Sequence, residues 1–329
     1  MNTRRRLWGA LAAGLLLCGM PLPRAQGRVH RIGYLMPRAT FGELDAAFVQ
    51  GLQELGYVVG RNLAIEARWA ANDLDKLPVL ADALVRLQVD VLVTATTAGT
   101  RAAMGATRTI PIVFAAAADP VAAGLVASLG RPGGNVTGLS LQTTDAARKR
   151  LQLAQELVPG ARRIGLLAER VSDPTRGTTA LLVTETRAAA AALGIAMAVR
   201  ELGPGDSLEE AFAWLEREHI DALVVQVSPL TLQWTDRIVA LAARQRLPAL
   251  YEARNFAAAG GLASYGPDLR ASYRRAAAYV DRILKGARPG DLPVEQPDVM
   301  ALVINLQAAQ ALGLAPAQSL LLRADELIR

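Results

Sequence analysis

The sequence predicts an α/β protein built from two similar lobes, each with a parallel sheet flanked by helices. Strand and helix patterns alternate along most of the 329 residues, which is typical of parallel sheets covered by helices on both faces. Segments of the first half recur in the second half in the same order. Apolar residues make up 52% of the chain, and this length suffices for two domains of ~150 residues.

The repeat rests on three pairs of segments. HRIGYL at 30–35 is answered by RRIGLL at 162–167, VDVLV at 89–93 by IDALV at 220–224, and RTIPIVF at 108–114 by RLPALY at 246–251. The offsets are 132, 131 and 137 residues, the last counted between the two prolines. Each pair alone is a weak signal, because an apolar run after a polar residue describes many parallel strands. Together they favour two similar lobes over chance.

In the first lobe, short apolar runs alternate with segments of helical periodicity. The predicted strands are residues 32–36, 62–69, 91–96 and 110–114, and the predicted helices are residues 44–55, 77–87, 99–106 and 121–129. Gly56 ends the first helix, and Asp119-Pro120 breaks the chain before the last one. RPGG at 131–134 ends that helix, and a further extended run begins at Asn135.

The second lobe repeats this alternation. The predicted strands are residues 164–168, 195–201, 222–227 and 249–251, and the predicted helices are residues 179–193, 208–218 and 230–245. An extended segment follows at 261–266, and Asp268 or Ser272 caps a helix that runs to residue 284. Short strands at 292–296 and 301–305 precede the terminal helices.

The first 27 residues have the pattern of a secretory signal. Three arginines at 4–6 precede an uncharged apolar run at 7–20, and the small residues AQG follow at 25–27. This run is too short to span a bilayer as a helix. Cys18 is an alternative lipid-anchoring site, but the leucine before it disfavours lipidation, which prefers a small residue there. We therefore expect an exported, periplasmic protein.

Removal of this signal changes the charge argument. The chain has a formal charge of +6, and the signal carries four arginines and no acid, so 32 basic and 30 acidic side chains remain. The mature chain is thus near neutral, and a nucleic-acid partner is not expected. Cys18 is the only cysteine, so disulfides, thiol chemistry and thiolate metal sites are excluded from the mature chain. With only His30 and His219, we expect neither a metal nor a cofactor.

Several long segments closely resemble one known family. They are RIGYL, GLQELGYVVGRNLAIEARWA, TIPIVFAAAADPVAAGLVASLGRPGGNVTG, LPALYEARNFAAAGGLASYGPDL, YVDRILKGARPGDLPVEQP and LVINLQAAQALGL. The chain resembles the ABC-transporter substrate-binding proteins of the tryptophan/tyrosine-binding type, from Val29 to the C-terminus. The loop segments RPGGNVTG and GGLASYGPDL are the most specific, because secondary structure does not dictate such sequences.

This resemblance implies a type I periplasmic-binding-protein fold, with a ligand cleft between the lobes. The usual threading of that fold implies residues 28–139 plus 262–285 for the first lobe and 140–261 plus 286–329 for the second. It implies a monomeric component of an ABC importer that closes by hinge motion around a small, amino-acid-like solute. A membrane permease and an ATPase are the implied partners.

Ligands of parallel α/β sheets bind at the carboxyl ends of the strands, which selects the candidate residues of the first lobe. These residues are Tyr34, Thr94, Thr96, Thr97 and Asp119. The threonines precede a helix whose N–H groups suit a carboxylate, although Thr96 or Thr97 could equally cap that helix. Asp119 could bind an ammonium group or simply cap the predicted helix at 121–129 across Pro120.

In the second lobe, the same rule selects Glu169, Gln226, Ser228 and Tyr251, and Gln142 lies where the chain crosses between lobes. The sequence departs from the family at 169–173, where an asparagine-bearing loop is expected, so the solute itself stays open. Glu169 or Arg170 could bind a charged group or could belong to a solvated rim. Tyr265 and Asp268 are interpreted as hinge and cap residues.

Two other functions remain as alternatives. The first is a sensory binding protein of the same fold that reports to a membrane receptor or kinase. The second is an exported α/β enzyme, but no serine has a nucleophile-elbow pattern, and RPGGN lacks the spacing of a nucleotide-binding loop. We therefore expect a receptor without catalytic residues.

Overall fold

The computed structural model describes residues 28–141, 146–171, 179–297 and 300–329. These residues form two sheets, one of five strands and one of seven. The predicted signal at 1–27, with Cys18, lies outside the described residues. No described helix is long and apolar enough to cross a membrane, and no cluster of metal-binding side chains occurs in the same parts of the chain.

The first sheet belongs to the N-terminal part of the chain. Its elements are β1 (His30–Met36), α1 (Glu43–Glu54), β2 (Leu63–Trp69), α2 (Leu77–Arg86), β3 (Val91–Thr94), α3 (Thr96–Ala106), β4 (Ile112–Ala117) and β5 (Val136–Ser140). The strands pair in the order β2-β1-β3-β4-β5, all parallel. β1, β3, β4 and β5 are almost entirely buried, as expected for strands covered on both faces.

The second sheet is formed by later segments. Its elements are α4 (Ala147–Leu157), β6 (Arg163–Glu169), α5 (Thr179–Ala192), β7 (Ala196–Leu202), α6 (Leu208–Arg217), β8 (Ala222–Val225), α7 (Pro229–Gln233), α8 (Thr235–Arg244), β9 (Ala249–Tyr251), α9 (Arg254–Ala258) and β10 (Ala263–Pro267). Helix α10 (Leu269–Leu284) follows, then β11 (Met300–Asn305), α11 (Leu306–Leu312), α12 (Gln318–Leu321) and β12 (Glu326–Ile328). The strand order is β12-β11-β10-β9-β8-β6-β7, and β11 runs antiparallel to β10.

The predicted duplication is confirmed. The order β2-β1-β3-β4-β5 of the first sheet recurs as β7-β6-β8-β9-β10 in the second. Asp90 accepts a hydrogen bond from the Arg31 N–H at 2.7 Å, and Asp221 accepts one from the Arg163 N–H at 2.8 Å. The aspartates of the VDVLV and IDALV segments therefore hold the starts of β1 and β6 in the same way.

The path between the lobes differs from the expected threading. The strand at 263–267 lies in the second sheet, where it pairs with β9 in parallel and with β11 in antiparallel orientation, so these residues do not belong to the first lobe. Helix α10 does return to the first lobe, where Tyr273 and Val280 share a core with Ile32 and Val113. The segment after α10 also packs on the first lobe, since the Thr137 hydroxyl donates to the Leu292 carbonyl at 2.7 Å.

Three local predictions were wrong. Residues 121–129 form turns rather than a helix, because Gly124 adopts a left-handed φ of 66° after one turn closes on Pro120. The helix expected at 230–245 is split into α7 and α8 at Trp234, whose φ of −98° and ψ of 14° leave the helical region. The strand expected at 292–296 is reduced to one bridge between Leu139 and Glu295.

Candidate ligand-binding cleft

A cavity lies between the two sheets, at the carboxyl ends of their strands. Its first-lobe wall comes from the loops after β1, β3 and β4, and its second-lobe wall from those after β6 and β8. The centre of a water molecule could occupy about 110 Å³ of this cavity. A single water needs only roughly 10–15 Å³ by the same measure. The cavity is therefore large enough for a small solute.

The N-terminus of α3 forms part of the first-lobe wall. The chain enters the helix through Ala95, in an extended conformation, and Thr96, with a φ of 67°. The first N–H groups of a helix lack partners within it and attract anions. The Thr97 hydroxyl is buried without a hydrogen-bond partner, and Thr97 lines the cavity. This wall thus offers donors suited to a carboxylate.

Arg38 forms the next part of this wall, and the sequence interpretation missed it. Its guanidinium lies 5.3 Å from the Tyr273 ring centre and 6.0 Å from the Trp69 ring centre. One Nη atom pairs with the buried Asp45, the other donates to the Tyr273 hydroxyl at 3.3 Å, and Nε is buried without a partner. Arg38 lies two residues after the end of β1, so the rule that ligands bind at strand ends could have selected it.

Glu169 stands at the end of β6 on the second-lobe wall. The residue is 7% exposed, and its backbone N–H donates to the Gln226 side chain at 3.1 Å. Burial raises the pKa of the Glu169 carboxyl to about 7, although a hydrogen bond with Ser228 opposes the shift. At neutral pH this carboxyl is therefore close to half ionised.

Ser228 both lines the cavity and begins α7. Its hydroxyl accepts a hydrogen bond from the Thr231 N–H at 3.1 Å, and the Thr231 hydroxyl accepts one from the Ser228 N–H at 2.9 Å. This reciprocal arrangement is a capping box. Its rigidity fixes the position of the Gln226 to Ser228 loop beside Glu169.

Five of the predicted site residues line this cavity: Thr96, Thr97, Glu169, Gln226 and Ser228. Thr96 both caps α3 and lines the cavity, since its hydroxyl accepts a hydrogen bond from the Gly99 N–H at 3.3 Å. Gln142 lies outside the described residues.

Three predicted residues lie behind the cavity wall. Tyr34 donates to Asp45 at 2.6 Å and so supports the partner of Arg38. Thr94 is fully buried beneath the start of α3, and Tyr251 stacks on Phe256 with ring centres 4.8 Å apart. Their aromatic or hydroxyl character suggested ligand contacts, but their side chains point into the packed layers of the sheets.

Asp119 also lies outside the cavity lining, where Ala118 is found instead. Its carboxylate accepts a hydrogen bond from the Ala122 N–H at 3.1 Å. There is no helix at 121–129 for Asp119 to cap, and the carboxylate instead holds the first turn of this segment.

The two lobes also touch beside the cavity. The Asn72 side-chain amide, after β2, donates to the Gln233 side-chain oxygen at the end of α7. Val227 packs against the core of the first lobe, and Leu269 contacts the cores of both lobes. The cleft is therefore narrow in this structure.

Comparisons with known proteins agree on one family. The family description "ABC transporter substrate binding protein" matches residues 42–328. A tyrosine-binding protein of Clostridioides difficile is 27% identical over 283 residues, which are 86% of this chain and 80% of that protein. These matches span both lobes.

Two solved structures bear on the arrangement of the lobes. An ABC domain from Streptococcus pneumonia in complex with L-Trp is 27% identical, with a TM-score of 0.81 over 91% of this chain and 99% of that one. The ligand-free, open structure of a substrate binding protein with adhesive properties from Clostridium difficile is 25% identical. Its TM-score is 0.63 over the same shares of the two chains. At nearly equal identity, the lobes thus follow the ligand-bound arrangement more closely than the open one.

Proposed function

The chain belongs to the ABC transporter substrate binding proteins, and from this we propose that it captures a small, amino-acid-like solute for an ABC importer. Members of this family bind substrates and are not enzymes, and the fold is that of type I periplasmic binding proteins. Beyond substrate binding and the fold, we propose the class of solute, the hinge mechanism, the periplasmic location and the transporter partners.

The observation that carries the proposal is the opposite character of the two cavity walls. The first lobe presents hydrogen-bond donors, namely the N-terminus of α3, the Thr97 hydroxyl and the Arg38 Nε. The second lobe presents the Glu169 carboxyl. A zwitterion held across the cleft would place its carboxylate against the first wall and its ammonium group against the second. Apolar lining residues, among them Leu44 and Leu141, would surround its side chain.

The relatives support this class of solute. One is a tyrosine-binding protein, and another was solved in complex with L-Trp. Both of those solutes carry the carboxylate and the ammonium group that the two walls would recognise. The lining does not specify the side chain of the bound amino acid. Among the described lining residues, Arg38 and Glu169 are the only charged ones, and most of the others are apolar.

The connections between the lobes support a hinge. The chain passes between them after β5, between β10 and α10, and before β11. Near these points, Arg150 of α4 and Glu252 form an ion pair at 2.8 Å, both 1% exposed. Arg150 Nε also donates to the Tyr265 carbonyl at 3.1 Å, and Glu252 accepts from the Val227 N–H at 2.9 Å. This network would move as one body with the second wall of the cavity.

Closure gives the proposed mechanism. A solute bound to the first wall alone lacks the Glu169 contact, which forms only when the lobes approach. The closed form that results would then dock on a permease driven by an ATPase, and the signal at 1–27 would deliver the protein to the periplasm.

The proposal is tested by thermal unfolding of the mature protein with L-tyrosine, L-tryptophan and L-leucine, and with nucleosides and sugars as the contrasting set. A solute that binds the native state raises the melting temperature with its concentration, and we expect this for at least one amino acid. Native mass spectrometry of the protein from its own periplasm would show a retained solute directly. Stabilisation by nucleosides or sugars alone would contradict the proposal.

A further inference from the structure

The strongest unexplained feature of the cavity is the environment of Glu169. A carboxyl with so little exposure normally has a cation or several donors nearby, because an unpaired buried charge is costly. The described neighbours supply one hydroxyl, that of Ser228. The Gln226 side chain offers its oxygen to the Glu169 backbone rather than a donor to the carboxyl.

The charged groups described beside Glu169 and on the adjacent strand β7 do not supply a cation to its carboxyl. On the Glu169 side, Arg170 pairs with Asp206. On β7, Arg200 lies over the Trp214 ring, while Glu201 is exposed. β8 and α7 contain no ionisable residue.

The first-lobe wall supplies no free cation to Glu169 either. Arg38 is held by Asp45, and burial keeps the pKa of the Tyr273 hydroxyl above its usual value, so that this group is neutral. Burial and the Ser228 hydroxyl alone account for the pKa of Glu169, and no described cation lowers it.

We propose that the Glu169 carboxylate binds the ammonium group of the solute and makes the protein select amines over acids of the same shape. This inference rests on the proposed amino-acid function and assigns the selectivity to one residue. The solute brings the cation that the described part of the second wall lacks, and the donors of α3 and Thr97 hold the carboxylate on the opposite wall.

A coupling between binding and protonation follows. The carboxyl must be ionised to bind an ammonium group, and in this arrangement of the lobes, with no described cation beside it, its pKa is about 7. Binding at pH 8 therefore releases almost no proton, whereas binding at pH 5 releases one. Affinity should fall on the order of 100-fold between these values, since the amino acid itself keeps both charges throughout.

The experiment uses matched pairs of probes in calorimetry. They are L-leucine with 4-methylpentanoate, L-tyrosine with 3-(4-hydroxyphenyl)propionate, and L-tryptophan with 3-(indol-3-yl)propionate, each at pH 8 and pH 5. We expect an amino acid to bind at pH 8 roughly 10–100-fold more tightly than its partner without the amine, as for a hydrogen bond between charged groups. Titration in buffers of different ionisation enthalpy should show the proton released at pH 5.

Glu169→Gln is the test variant, and Glu201→Gln, which removes an exposed carboxylate from the adjacent strand, is its control. Glu169→Gln should lose the preference for the amine and the pH dependence, while Glu201→Gln should keep both. Equal binding of both members of a pair by the wild-type protein, or an unchanged amine preference in Glu169→Gln, would overturn the inference and leave the amino-acid function intact. If none of the six probes binds at either pH while another class does, the proposed function fails first and the inference with it.

Discussion

The buried Glu169 carboxyl should make the stability of the solute-free protein depend on pH. Below pH 4.5, which is the usual pKa of a glutamate carboxyl, Glu169 keeps its proton in both the folded and the unfolded state. Between 4.5 and about 7, only the unfolded state loses it, so the contribution to stability falls as pH rises. Glu169→Gln should therefore raise the free energy of unfolding at pH 8 by up to about 3 kcal/mol and leave it unchanged at pH 4.

Urea denaturation at the two pH values measures this difference. Glu201→Gln removes a carboxylate of ordinary exposure and should change the free energy of unfolding by less than about 0.5 kcal/mol at both. A Glu169→Gln protein that is less stable than the wild type at pH 8 would show that the carboxylate is stabilised by a cation.

Thr97 and Thr100 lie in the same helix, and their hydroxyls should matter in different ways. The Thr97 hydroxyl has no partner, so Thr97→Val should leave stability unchanged and weaken solute binding by about 1.5–3 kcal/mol if the hydroxyl meets a carboxylate. The Thr100 hydroxyl donates to the Thr96 carbonyl at 2.8 Å, so Thr100→Val should cost about 1 kcal/mol of stability. Calorimetry and urea denaturation of both variants separate the roles; equal affinity in Thr97→Val and the wild type would remove Thr97 from the site.

At the scale of residues, half of the ten positions that the sequence proposed line the cavity. Chain order was enough to predict four of them, because these residues follow predicted strands and precede predicted helices: Thr96, Thr97, Gln226 and Ser228. Arg38 was missed because its role depends on Asp45 and Tyr273, and Tyr273 lies 235 residues away. Tyr34 was chosen for the same strand end, but the alternation of strand side chains turns it toward Asp45.

At the scale of a single element, the turn after β4 tests the role of Asp119. Because its carboxylate accepts from the Ala122 N–H in this turn, away from the cavity lining, Asp119→Ala should lower stability by about 1 kcal/mol without changing affinity. Asp119→Asn keeps an acceptor oxygen and should retain most of that stability. A tenfold loss of affinity in both variants, measured by calorimetry, would place Asp119 in the site after all.

Two glycines should respond in opposite ways to alanine. A Cβ at Gly266, in β10, would lie 1.8 Å from the Glu252 carbonyl oxygen, and this backbone atom belongs to the residue that pairs with Arg150. We expect Gly266→Ala to cost about 1–3 kcal/mol. Gly105, in α3, has nothing within 4 Å of that position, so Gly105→Ala should gain about 0.5–1 kcal/mol. Thermal unfolding compares them, and a tolerated Gly266→Ala would mean that β10 and the Glu252 turn can separate.

Elements were predictable from the sequence where local signals and the tertiary structure agree. The alternation of strands and helices was encoded locally. The turns at 121–129 were not, because an alanine-rich spacing resembles a helix and only the left-handed Gly124 interrupts it. β10 belongs to the second sheet because it pairs with β9 and β11. The local sequence of a strand does not specify its pairing partners.

At the scale of the whole molecule, the repeat explains why the cleft lies between two equivalent sets of strand ends, and divergence of the loops explains why its two walls differ. Both lobes present the carboxyl ends of equivalent strands, so a duplicated scaffold places two strand-end loops face to face. The loops then differ in chemistry: the start of α3 offers N–H groups, while the end of β6 offers Glu169. Duplication supplies the geometry, and divergence of a few loop residues supplies the asymmetry that a zwitterion requires.

The contact between Asn72 and Gln233 should bias the lobes toward closure. Gln233 is exposed at the end of α7, so Gln233→Ala removes the hydrogen bond across the cleft without opening a cavity in either core. The open form, in which both side chains would be hydrated, is unaffected, and the closed form loses about 0.5–1.5 kcal/mol. Because apparent affinity scales with the closed population, solute binding should weaken by roughly 2–10-fold, mainly through faster dissociation.

Small-angle scattering and stopped-flow dissociation test this expectation. Gln233→Ala should have a larger radius of gyration than the wild type at a subsaturating solute concentration and the same value at saturation. Its melting temperature without solute should be unchanged, because each lobe keeps its own core. Gln310→Ala, which alters an exposed glutamine on α11 outside the cleft lining, should match the wild type in every measurement. Unchanged dissociation in Gln233→Ala would mean that the solute and the apolar contacts of Val227 and Leu269 close the lobes without this hydrogen bond.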